Sequence, residues 1–97
     1  MTGGKTLVVE NTMTLTNGGF ATGTVEARGN VSAGANFDAG GTASFKFQNS
    51  TADQNFDLTG YAGWNTPLTI NKASGTVTLT SDFTTAGTVT VQNGAFN

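Results

Sequence analysis

The chain predicts an all-β fold, a parallel β-solenoid of about five coils, with residues 1–97 forming one domain. Three observations carry that expectation. Apolar residues alternate with Thr in short runs, and the helical period is missing throughout. Gly and Asn punctuate those runs, supplying backbones that tolerate tight turns. Related segments recur with a period near 20 residues, the mark of a stack in which each coil buries its face only on the next.

In chain order, Lys5-Thr6-Leu7-Val8-Val9 is strand-like, and Thr12-Met13-Thr14-Leu15-Thr16 alternates cleanly before the breaker Asn17-Gly18-Gly19. Gly23-Thr24-Val25 opens another run, closed at Gly29-Asn30. Asn36-Phe37-Asp38 precedes Gly40-Gly41, Phe45 and Phe47 precede Asn49-Ser50, and Asn55-Phe56-Asp57-Leu58 precedes Gly60 and Gly63. The single Pro, Pro67, can open the strand Leu68-Thr69-Ile70 but could not sit inside a central one. Thr76-Val77-Thr78-Leu79-Thr80 and Thr88-Val89-Thr90-Val91 alternate again, flanked by Gly75, Gly87 and Asn93-Gly94.

Repetition takes two forms. Gly-Thr followed by an alternating run occurs at Gly23, Gly41, Gly75 and Gly87, with spacings of 18, 34 and 12. A lag of 19 aligns Asn36-Phe37-Asp38 with Asn55-Phe56-Asp57, Phe45 with Trp64 and Phe83, Ile70 with Val89, and Ala39 with Leu58, Val77 and Phe96. In stacked coils, inward Val, Leu, Ile and Phe meet their counterparts above and below, while Thr suits the outward pleat. Charge repeated at one position would form a like-charge column. The low charged content, 10%, fits that demand.

Composition excludes several functions. Net charge is −2, and the four basic residues, Lys5, Arg28, Lys46 and Lys72, are too few for a phosphate-binding surface, so no nucleic-acid partner is expected. No run of about 18 apolar residues encodes a spanning helix, so no membrane insertion is expected. Met1-Thr2-Gly3-Gly4-Lys5 lacks the apolar stretch of a signal peptide. There is no Cys and no His, which removes disulfides, thiolate metal sites and the commonest catalytic base. Gly4-Lys5-Thr6 lacks the upstream glycine and helix of a phosphate loop. No catalytic residue, cofactor or metal is assigned, and the chain is read as a non-enzyme, with a glycan-active enzyme that uses paired carboxylates as the least favoured alternative.

The run from Leu68-Thr69-Ile70-Asn71 through Ser74-Gly75-Thr76-Val77-Thr78-Leu79 to Gly87-Thr88-Val89-Thr90-Val91 and Gly94-Ala95-Phe96-Asn97 resembles the β-helical repeats of large bacterial cell-surface and adhesin-like proteins. Ala43-Ser44-Phe45-Lys46-Phe47-Gln48-Asn49 and Asn55-Phe56-Asp57-Leu58 are similar to the segment that leads into such repeats. The resemblance implies a right-handed helix, an extracellular or cell-surface setting, and a mechanical or adhesive role. Asp82-Phe83-Thr84-Thr85 departs from the repeat by placing Thr where an apolar residue is usual. The rival fold is a β-sandwich of the fimbrial-subunit type, since regularly spaced strands also describe a sandwich.

Five groups of residues are candidates for function. Asp38 and Asp57 would stack in adjacent coils under the lag of 19, forming a costly carboxylate pair or a cation corner, whereas the plain reading makes each a turn residue bonding its own backbone. Tyr61 and Trp64 could offer a platform to a glycan, although the alignment of Trp64 with Phe45 and Phe83 favours the core. Thr76, Thr78, Thr80, Thr88 and Thr90 form an outward face of the kind that binds ice when gapless. Asn30-Val31-Ser32 and Asn49-Ser50-Thr51 fit the N-glycosylation pattern. The strand-like ends, Leu7, Val8 and Val9 at one side and Thr88, Val89, Thr90 and Val91 at the other, are expected to be bare edges that recruit further strands. The expected partners are therefore copies of the chain in an oligomer or fibre, or neighbouring coils of a longer chain.

Overall fold

The computed structural model describes residues 4–38, 42–59, 64–82 and 84–97. Eight strands follow one another: β1 (Thr6–Val9), β2 (Met13–Gly19), β3 (Thr24–Ala27), β4 (Val31–Asp38), β5 (Ser44–Gln48), β6 (Gln54–Asp57), β7 (Leu68–Leu79) and β8 (Val89–Phe96). Every strand pairing among the described residues is parallel. That excludes the fimbrial-type sandwich, whose sheets are antiparallel. The chain is a β-solenoid.

One face stacks β1, β3, β5, the first half of β7 and the start of β8. The other stacks β2, β4, β6 and the second half of β7. Inward columns run Leu7–Val25–Phe45–Leu68–Val89 and Val9–Ala27–Phe47–Ile70–Val91. On the second face Met13, Val31, Phe56 and Leu79 share a column.

The stack has about four turns, not five. The rises run from Thr6 to Thr24, Thr24 to Ser44, Phe45 to Leu68 and Leu68 to Val89, which are 18, 20, 23 and 21 residues. The uniform lag of 19 therefore fails for most of its pairs. Phe45 faces Leu68 rather than Trp64, and Ile70 faces Val91 rather than Val89. A separation of 19 is found between Val77 and Phe96 and, past a register shift, between Asn17–Gly19 and Asn36–Asp38. The physical reason is that inward alternation sets the register on each face, and the corners between faces absorb residues freely.

The core is widest in the third coil. Phe45 and Phe47 from one face meet Phe56 from the other and Trp64 from the side that closes the coil, all with no exposed surface. Phe45 and Phe56 lie parallel at 6.2 Å between centroids, and Trp64 stands edge-on to both at 5.4 and 5.3 Å. Edge-to-face and offset contacts are the favoured aromatic geometries.

Two glycines show how tightly the coils approach. At Gly75, where β7 bends from one face to the next, φ is +82°, and a Cβ would lie 2.7 Å from the Thr51 carbonyl oxygen. One coil earlier Asn49 takes the same left-handed backbone, φ 62°, which Asn tolerates better than other side-chain-bearing residues. At Gly29 the limit is contact alone: a Cβ would sit 2.4 Å from the Asn11 carbonyl carbon.

Candidate functional site

The two ends of the stack differ from everything between them. Among the described residues β1 pairs only with β3, and β8 only with β7. The exposed large hydrophobic residues among those described are Leu7 (42%), Val8 (42%), Val89 (39%) and Val91 (49%), and all four lie on these terminal strands. Three of them, Leu7, Val89 and Val91, occupy inward column positions whose interior counterparts are buried. Their exposure follows from the missing layer above or below, not from facing outward. Val9 is partly covered and packs against the core, while Thr88 and Thr90 are exposed.

Between the ends, two polar braces tie coils together. Neither was visible as a unit in the sequence. Glu26 is 4% exposed, yet it accepts from Gln48 Nε2 at 2.7 Å and Asn49 Nδ2 at 2.8 Å, and pairs with Arg28 at 2.7 Å. Arg28 also reaches Glu10 at 2.7 Å. The brace spans three coils, from Glu10 through Glu26 and Arg28 to Gln48 and Asn49. Burial pushes the Glu26 carboxyl up, but the donors from Gln48, Arg28 and Asn49 outweigh it and hold the group below the ordinary glutamate value. A depressed carboxylate contributes stability above its ordinary value and loses it as pH falls through the folded value. Glu26→Gln should therefore cost about 1.5–3 kcal/mol near neutrality, the range for hydrogen bonds to a charged group. The difference from the parent chain should close on acidification below the ordinary glutamate range. Melting curves across that range check it, and a pH-independent difference would refute the assignment. One sequence signal was available: Glu10 and Arg28 are 18 apart, the rise of the first coil.

The second brace is internal. Lys72 has no exposed surface, and its ammonium donates to the Ala52 carbonyl at 2.8 Å and to Gln54 Oε1. Gln54 in turn donates to the carbonyls of Ala27 at 3.1 Å and Gly29 at 2.6 Å. Burial lowers the Lys72 pKa from the ordinary lysine value, with a partial offset from Asp53.

The other sequence candidates fall in different places. Asp38 faces Gly19 and Asp57 faces Ser32, so the two Asn-Phe-Asp copies are out of register and the stacked pair does not form. Asp57 Oδ1 accepts from its own neighbour Thr59, at 2.9 Å from the backbone N–H and 2.6 Å from the hydroxyl, which lowers its pKa. No group of three His, Cys, Asp or Glu able to hold a metal occurs among the described residues. Trp64 is fully buried and gives its Nε1–H to the Thr66 carbonyl at 2.8 Å, so its face is not offered to a ligand. Tyr61 lies outside the described residues, as does Phe83. Thr80, Thr88 and Thr90 are exposed, and Thr76 and Thr78 partly so. They do not make one gapless array: the outward column containing Thr90 reads Val8, Glu26, Lys46, Thr69, Thr90. Each sequon asparagine makes a side-chain hydrogen bond within the fold. Asn30 Oδ1 accepts the Asn55 N–H at 2.9 Å, and Asn49 donates to Glu26.

No protein-family model, curated protein or solved structure matches this chain. Its own geometry carries the functional reading.

Proposed function

We propose that the chain is a structural module that builds a rigid rod by strand addition at the ends of its stack. The observation that carries this reading is that, among the described residues, the exposed large hydrophobics are confined to β1 and β8. Single exposed apolar residues are ordinary, but apolar residues clustered on unpaired strand edges are templates for further strands. Natural solenoids cover such ends with polar caps, and neither terminal strand carries a charged residue. The resemblance of its repeats to those of bacterial surface proteins supports a rod outside a cell, in an adhesive or scaffolding role.

Light scattering and electron microscopy over a concentration series test the reading. Particles that lengthen with concentration at constant width are expected. A monomer that persists at millimolar concentration would refute it.

A further inference from the structure

We infer that the partner at each end is a second copy of this chain, stacked head to tail, with β8 of one copy pairing in parallel with β1 of the next and Val89 lying over Leu7. The inference rests on the rod-building reading and adds its partner, polarity and register.

Backbone direction comes first. The Thr24 N–H donates to the Lys5 carbonyl, and the Arg28 N–H to the Val9 carbonyl. In a parallel strand alternate residues address opposite neighbours. Lys5, Leu7 and Val9 thus address β3, and the backbone groups of Thr6 and Val8 point to the open end. At the other end, Leu68 N–H donates to the Thr88 carbonyl. Thr88 and Thr90 thus address β7, and Val89 and Val91 point to the open end. Inside the stack, Ser44 bonds back across to the Gly23 carbonyl while Phe45 donates forward to the Pro67 carbonyl. A second copy laid on β8 repeats this pattern, Val89 and Val91 bonding Thr6 and Val8 of the next chain.

The side chains agree with that register. It continues the column Leu7–Val25–Phe45–Leu68–Val89 into Leu7 of the second copy, and the column ending at Val91 into its Val9. Counted to the one column Gln54–Val77–Phe96, the corner shortens toward the C-terminal end: Phe45 to Gln54 and Leu68 to Val77 span nine residues and Val89 to Phe96 seven. Charge raises no obstacle: β1 is flanked by Lys5 and Glu10, and Val89–Phe96 carries no charge to repel either. A like-to-like joint of β8 on β8 would instead reverse the chain path, so corners would fall over faces and the columns would break. The contact is heterologous and does not close on itself, which yields an open filament.

Disulfide trapping tests the inference, and the absence of native Cys makes the readout clean. Val8 and Thr90 share one outward column level and are both exposed, so Val8→Cys and Thr90→Cys should each fold. Adjacent parallel strands lie about 4.8 Å apart, within the Cα range that a disulfide bridges. An oxidised mixture of the two single variants is expected to move from the monomer band to twice the monomer mass as the mixed species. Either variant alone should stay monomeric on the same gel. A chain carrying both substitutions should give a covalent ladder. Dimers of Thr90→Cys with itself, or of Val8→Cys with itself, at a level matching the mixed species would overturn the polarity while leaving rod building intact. Scattering that shows assembly without any mixed disulfide would overturn the register. Scattering that shows no assembly would overturn both this inference and the rod-building reading.

Discussion

Phe45→Ala is expected to cost about 3–5 kcal/mol, the range for removing a buried Phe from a close-packed core. Phe45 has no exposed surface, stacks on Phe56 at 6.2 Å and receives Trp64 edge-on at 5.4 Å. It also links Val25 below to Leu68 above in one of the two five-residue inward columns. Truncation opens a void bounded by four other aromatic rings, Phe20, Phe47, Phe56 and Trp64, which cannot close without shifting both faces. A domain of this size has total stability of about 5–15 kcal/mol, so the loss removes a large share of it. Thermal or denaturant unfolding measures the effect, with Val8→Ala as the contrast. Val8 is 42% exposed on the open edge, and its truncation should cost under about 0.5 kcal/mol. If the two variants were equally stable, the aromatic cluster could not be the packed centre described above.

Lys72→Ala is the second large expectation, at about 2–6 kcal/mol near neutral pH. The Ala52 carbonyl and Gln54 Oε1 would each lose their donor inside the stack, at about 1–3 kcal/mol apiece. Gln54 cannot compensate by turning over, because its Nε2 already serves the carbonyls of Ala27 and Gly29. The pH dependence gives the sharper test. Burial lowers the folded Lys72 pKa below its unfolded value. Between those two values the unfolded chain binds more protons than the folded one, so stability rises with pH across that window. The advantage of the parent chain over Lys72→Ala should therefore widen as pH climbs toward the ordinary lysine range. Chemical denaturation at about pH 7 and about pH 10 would reveal it. A gap that narrows at high pH would mean that Lys72 is held charged by a partner rather than disfavoured by burial.

Much of the fold can be read from local pattern. Thr14-Leu15, Val77-Leu79 and Val89-Val91 alternate with period two because each strand has one inward and one outward side, a property of the chain that needs no neighbour. The bends at Gly75 and Asn49 are equally local, since a left-handed backbone selects Gly or Asn. Edge strands were legible for the same reason: Leu7, Val8, Val89 and Val91 are apolar whatever covers them.

Register and the braces were decided elsewhere. Asn36-Phe37-Asp38 and Asn55-Phe56-Asp57 look like repeats, yet Phe37 faces Gly18 and Phe56 faces Val31, because corner lengths change between coils and only the stacked whole settles which residues meet. Alternation from Leu68 and Ile70 turns Lys72 inward, but nothing nearby in the chain supplies what a buried ammonium needs. Its place there depends on carbonyl and amide oxygens, Ala52 and Gln54, that arrive 20 and 18 residues away. Alternation and turn chemistry are short-range and survive in the sequence as pattern. Stacking partners and buried hydrogen bonds exist only once the coils have closed on one another.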